Sequence, residues 1–164
     1  MSVLREIAQK VKELLDDLET LEQEEKTTDF EYPFEIGDTF FFIDVVGEPA
    51  ERNWSNYVNE KHAYLQGNIF KTKEEVYKER DKRELLMRFN QFRDKCNGDW
   101  KPDFTNFAQD KHSIQFNYNL GTFTIYNVGY MDGLRLLGCF KERKDAERAI
   151  ELFGDEIKRL YVEE

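Results

Sequence analysis

The sequence predicts an α+β protein. It reads as an N-terminal heptad helix followed by two antiparallel β-sheet/helix units, each ordered strand–strand–strand–helix. Three observations predict this. Leu4, Ile7, Val11, Leu14, Leu18 and Leu21 recur at spacings of 3, 4, 3, 4 and 3, which fills positions a and d of three heptads. Aromatic-rich runs bounded by Gly, Asn and Pro occur at two places, at Thr39–Val46 and at His112–Tyr126. Each set is followed by a long segment with apolar residues three and four apart. The expected organisation is residues 1–26 for the helix, 27–98 for the first strand–helix unit and 99–164 for the second.

The heptad helix should run from about residue 3 to 25, with Ser2 as a plausible N-cap. Its stripe is narrow, widened only by Leu15, so it suits a coiled-coil seam with a second copy or folds back on its own core. In a parallel homodimer Asp17 at g would face Glu22 at e, whereas Lys10 and Glu24 can pair antiparallel; the orientation stays open.

In the first unit, Phe30, Tyr32 and Phe34 alternate as a half-buried lead-in strand. Thr39–Val46 reads as a strand buried on much of both faces, turned by Gly47-Glu48-Pro49. A returning strand is expected around Arg52–Tyr57 and a third over Ala63–Phe70. A helix over about Thr72–Lys95 follows, opened by Thr72 and Glu75 as a capping box. In the second unit, strands are expected at His112–Tyr118, Gly121–Tyr126 and Leu134–Phe140, then a helix from about Glu142. Phe70-Lys71 aligns with Phe140-Lys141, and Val76 with Ala146, at an offset of 70 residues. Ala146, Ala149, Ile150, Phe153, Ile157, Leu160 and Tyr161 form the stripe that should lie on a sheet; Gly154-Asp155 could split that helix, with Asp155 capping the second piece. Val76, Leu85, Leu86, Phe89, Phe92 and Cys96 fill the same role in the first unit.

The composition supports a packed core. In 164 residues there are 14 Phe, 8 Tyr and 2 Trp, which offsets 35% charged residues and a mean hydropathy of −0.77. No apolar run approaches a membrane span, and the first 25 residues lack the apolar core of a signal peptide, so a cytoplasmic protein is expected. Cys96 and Cys139 read as reduced, buried thiols.

Charge is uneven. Residues 1–60 carry 5 basic against 16 acidic groups, 61–101 carry 11 against 7, and 102–164 carry 8 against 11, for a net charge of −10. The sign disfavours anionic membranes and nucleic acid and favours basic protein surfaces.

No catalytic set emerges. His62 and His112 have no Cys or carboxylate at ligand spacing, so neither a metal nor a cofactor is expected, and there is no phosphate-binding glycine loop or nucleophile elbow. Asp132 with Glu142-Arg143-Lys144 imitates the carboxylate and Lys pattern of a metal-dependent nuclease, but Glu142 sits where a helix begins and is better read as first-turn stabilisation. The chain is therefore not expected to be an enzyme. Two binding surfaces remain. Glu31, Glu35, Asp38, Glu48 and Glu51, with Trp54 and Tyr57 as anchors, make an acidic protein-binding surface. Lys71, Lys73, Lys78, Lys82 and Arg88, on the one basic helix, make an alternative nucleic-acid surface, although Glu74–Lys78, Glu79–Arg83 and Glu84–Arg88 are i, i+4 pairs that also solvate a helix.

Three segments carry a resemblance: Gly67-Asn68-Ile69-Phe70-Lys71-Thr72-Lys73-Glu74-Glu75, Trp100-Lys101-Pro102, and Phe140 … Ala146 … Ala149-Ile150 … Gly154-Asp155-Glu156-Ile157-Lys158. With the aromatic strand Gly37-Asp38-Thr39-Phe40-Phe41-Phe42-Ile43 behind a Glu/Lys-rich helix, the chain resembles small accessory proteins of phages and prophages of Gram-positive bacteria. That resemblance implies action inside a bacterial host cell, in a set that includes inhibitors of host defence such as anti-CRISPR proteins. It implies no catalytic residue. The expected partner is thus a host protein such as a nuclease, engaged at its nucleic-acid channel.

Overall fold

The computed structural model describes residues 7, 9–12, 14, 15, 31–129 and 136–163. It is an α+β protein with the order β1 (Thr39–Ile43), β2 (Pro49–Asn53), α1 (Val58–Leu65), α2 (Lys73–Asn97), β3 (His112–Asn117), β4 (Thr122–Asn127) and α3 (Arg143–Tyr161). The strands make two separate two-stranded sheets, β1–β2 and β3–β4. The chain divides into one unit of residues 1–38 and 53–66 and another of residues 39–52 and 67–164.

The first unit is organised by Trp54. Its indole is 2% exposed, with the Phe34 ring stacked at 5.4 Å and the Tyr32 ring at 5.8 Å; Tyr64 meets Tyr32 edge-on at 5.4 Å. Residues 31–38 form no strand, so the Tyr32/Phe34 alternation expected to make one instead clasps an indole. The backbone locks the clasp, with Gly37 N–H donating to Trp54 O and Trp54 N–H to Asp38 O at 2.8 and 2.7 Å. α1 occupies ground read as strand, because the buried Glu60 reaches back from the third helical position. Its Oε2 accepts from the N–H groups of Ser55 and Tyr57 at 2.9 and 3.0 Å, satisfying amides that a helix N-terminus would leave without partners. Residues 7, 9–12, 14 and 15 are helical, with Ile7, Val11 and Leu14 exposed; Leu4, Leu18 and Leu21 lie outside the described residues.

In the second unit α2 and α3 pack together, α2 against β1 and α3 against β3 and β4. The core joins Leu85 and Phe89 of α2, Ile114 and Ile125 of the β3–β4 sheet, Phe140, and Ala146, Ala149, Phe153, Ile157 and Leu160 of α3. Phe89 is its hub, with Phe153 and Phe140 at 5.5 and 5.8 Å between centroids. The Thr72–Glu75 capping box opens α2: Glu75 N–H donates to Thr72 Oγ1, and Glu75 Oε2 accepts from Thr72 N–H. α3 runs unbroken through Gly154-Asp155. A Cβ at Gly154 would stand 3.4 Å from Phe123 and Ile150, so the glycine provides close packing rather than a break.

Among the described residues, neither of the two expected third strands forms. Residues 63–65 belong to α1, and among the described remainder only Phe70 and Phe140 bridge, antiparallel, to Phe41 and His112. Each bridge is a reciprocal pair: Phe41 and Phe70 exchange N–H···O bonds of 2.9 and 2.8 Å, as do His112 and Phe140. Residues 134 and 135 lie outside the described residues. The strand expected to continue to Val46 stops at Ile43, and β2 returns at Pro49–Asn53 rather than around Arg52–Tyr57.

Candidate functional site

The β1–β2 turn holds two adjacent apolar side chains, Val45 and Val46, in solvent. Asp44 builds it: Oδ1 accepts from the N–H groups of Val46 and Glu48, both at 2.9 Å. Its own N–H donates to Glu48 O at 2.9 Å, and its carbonyl accepts from Gly47 N–H at 3.1 Å. Gly47 takes φ +88°, a conformation costly to any residue with a Cβ. Pro49 then opens β2 at a position that needs no donor. The result is a turn held by four hydrogen bonds to one aspartate, with Val45 fully exposed and Val46 76% exposed beside the exposed Glu48 and Glu51. Glu48 also meets Arg80 at 3.5 Å, while Asp81 at 3.0 Å binds that guanidinium more closely and, by its hydrogen bond, raises the Arg80 pKa. Arg52 lies over the Phe42 ring at 5.5 Å.

Sequence reasoning missed Val45 and Val46, which it placed inside a strand. The available signal was Asp44 shortly before Gly47: an Asx side chain closes a turn by accepting from the N–H two residues on, here that of Val46.

Of the residues expected to make the acidic surface, Glu31, Glu35, Asp38 and Tyr57 are exposed in the first unit and Glu48 and Glu51 in the second. Asp38 Oδ2 accepts from Glu35 N–H at 2.8 Å and so is partly committed to its own turn. Trp54 cannot serve as a partner anchor, because Phe34 and Tyr32 already cover its ring.

On α2 the arginines are occupied. Arg88 Nη2 binds both oxygens of Glu156 at 2.7 Å, and Arg83 binds Glu79 at 2.8 Å and Gly67 O at 3.0 Å. Arg93 binds Asp94 at 2.8 Å and Leu137 O at 3.2 Å. Among the lysines of the alternative surface, Lys73 lies over Tyr77 at 5.9 Å and Lys82 over Tyr161 at 5.0 Å; Lys71 is exposed and Lys78 half-buried. Burial of Tyr161, and then Glu79, raise the Tyr161 pKa.

Glu142 is the N-cap residue of α3, as its position in the sequence suggested. Burial, followed by Asp145, pushes the Cys96 thiol pKa up; Lys95 and Arg148 pull the other way without prevailing. His62 is exposed on α1 and His112 opens β3. Among the described residues, no three His, Cys, Asp or Glu side chains are placed to share a metal ion, and no helix is long and apolar enough to cross a membrane.

No protein-family model, curated protein or solved structure matches the chain.

Proposed function

We propose that the chain is an acidic protein-binding module that inhibits a host protein, and that its target is a nucleic-acid-handling defence enzyme such as a CRISPR nuclease, engaged at a basic channel. The observation that supports this reading is the β1–β2 turn. Two valines stand in water on a turn fixed by Asp44, with Glu48 and Glu51 beside them. Burying a valine side chain contributes about 1.5–3 kcal/mol, and a turn that is already rigid loses little entropy on docking. The carboxylates and the net charge of −10 steer the chain toward a cationic surface and raise the on-rate. Exposed Ile7, Val11 and Leu14 support a homodimer built on the N-terminal helix, which would present two such turns.

Expression in a Gram-positive host with an active CRISPR nuclease tests the proposal. Plating of a targeted phage should rise, the nuclease should co-purify in stoichiometric amount, and the V45D/V46D double variant should lose both effects. Unchanged plating with soluble protein present, or a double variant as active as the parent, overturns it.

A further inference from the structure

β3 pairs with β4 along one edge only, in the register His112↔Asn127 to Asn117↔Thr122. At the head of β3 the other edge is already in use, since both backbone groups of His112 bond to Phe140. Backbone groups alternate in direction along an antiparallel strand, so the N–H and C=O of Ile114 and Phe116 face that same outer edge. Among the described residues nothing pairs with them there. The opposing chain leaves the edge at Gly138, whose φ is +65° and whose place a Cβ could not share with Arg93 Nη1, 2.8 Å away. Where the next rungs would lie, a cleft of about 330 Å³ opens, lined by Ile114, Phe116, Phe123, Leu136, Ile157 and Tyr161 among others.

The composition of this edge is unusual for the chain. Charged residues make up 35% of the sequence, yet β3 (His-Ser-Ile-Gln-Phe-Asn) and β4 (Thr-Phe-Thr-Ile-Tyr-Asn) contain no Lys, Arg, Asp, Glu or Pro. Soluble proteins protect a sheet edge with those residues, because an open ladder recruits another strand. Here none is present and an apolar cleft adjoins the ladder.

We infer that the outer edge of β3 is a second binding site, independent of the β1–β2 turn, which takes an extended basic segment of a partner protein by strand addition. The segment's backbone pairs with Ile114 and Phe116, and an inward side chain enters the cleft. Its basic character follows from the 11 acidic against 8 basic groups of residues 102–164, to which the edge belongs, and from the end of α3. There Val162, which lines the cleft, adjoins the last helical carbonyls and the exposed Glu163, itself 3.4 Å from Lys158. A second copy of the chain, carrying the same charge, is the less favoured occupant.

The test uses the full ¹⁵N-labelled chain and the capped peptide acetyl-Lys-Thr-Val-Thr-Val-Thr-Lys-amide. Two versions of the peptide are compared with it, one N-methylated at the valines and one at the threonines. The amides of Ile114 and Phe116 should exchange rapidly in the free protein and become protected on adding the parent peptide. N-methylation of at least one set should weaken binding tenfold or more, because it removes the rungs and leaves the side chains. L136K, at an exposed position on the rim of the cleft, should weaken the parent peptide tenfold with the fold unchanged. Protection of both amides in the free protein overturns the inference: sedimentation as a monomer then assigns the edge to residues 130–135 of the same chain, and as a dimer that L136K disperses, to a second copy. Absence of binding at millimolar peptide, or equal binding of all three peptides, also overturns it.

Discussion

Lys111 is fully buried, and its removal is the most informative single perturbation of the second unit. The ammonium donates to Asn106 O at 2.8 Å and Gln109 O at 2.7 Å, with the Phe104 ring at 5.9 Å. Around it the 101–110 loop closes on itself: Gln109 accepts from Asp103 N–H, Asn106 Oδ1 from Ala108 N–H, and Asn127 Oδ1 from Lys111 N–H. Lys111→Met keeps the aliphatic stem and deletes two charge-assisted hydrogen bonds, each contributing about 1.5–3 kcal/mol. Two terms offset that loss. Removing the charge recovers its desolvation cost, and the exposed Asn106 regains water at its carbonyl, whereas the half-buried Gln109 keeps an unpaired one. The expected net destabilisation is about 1–2 kcal/mol. With a urea slope of about 1–3 kcal/mol/M, the midpoint should fall by roughly 0.5–1 M at constant slope, followed by helix circular dichroism. Amides of the 103–109 loop should also exchange faster than those of α3. A variant with a midpoint equal to or above the parent's would refute the reasoning, because the ammonium's burial would then cost as much as its bonds return.

Gly138→Ala should destabilise by about 1–3 kcal/mol, since it meets Arg93 and forces an L side chain to φ +65°; Gly67→Ala, at φ +68° with nothing within 4 Å, should lose less, and thermal melts of the pair separate contact from conformation. Hydrogen bonds from Thr105 to its carboxylate hold the Asp103 pKa below the ordinary range, so its contribution to stability is complete above about pH 4 and lost as pH falls through the lower folded value. Denaturant midpoints of Asp103→Asn and the parent should therefore converge as pH falls through and below the ordinary carboxylate range. A 20-base-pair duplex at low salt should show no retarded band with the protein, because Arg83, Arg88 and Arg93 already hold partners; a salt-sensitive complex lost in K71E/K73E would instead support the nucleic-acid surface. Val11→Asp should convert a sedimenting dimer to monomer if the N-terminal stripe is a seam between copies.

What was legible in the sequence was whatever periodicity could express. The capping box at Thr72 and Glu75, the β3–β4 hairpin and the α3 stripe each follow from spacing alone, and each stands where expected. The errors share one cause. Tyr32 and Phe34 alternate as a strand does, and Thr39–Val46 is apolar except at Thr39 and Asp44, yet one side chain overrides each pattern. For the first pair it is the Trp54 ring. For the second it is Asp44, which turns the chain after Ile43 and leaves Val45 and Val46 in water. Ala63–Phe70 reads as strand only if Glu60 is ignored, and a carboxylate that caps its own helix leaves no mark on an apolar pattern. The acidic surface was legible as charge and not as geometry: six of its seven residues are exposed, and the seventh, Trp54, is core.

Two apolar features of the second unit, the Val45–Val46 turn and the uncharged outer edge of β3, are not required by its core. Val45 and Val46 take no part in the core cluster, and polar residues would serve Asp44 equally well, because its bonds go to backbone N–H groups. Along β3, one charge on the outer edge would not disturb the pairing to β4, which uses the opposite edge. Solubility alone would place polar or charged residues at both, as the chain does along α2, where arginines meet carboxylates. The same chain thus solvates a helix with matched ions and leaves a rigid turn and an open ladder bare. Stability explains the first arrangement and gives no reason for the second, which is the arrangement that the proposed docking of other proteins would require.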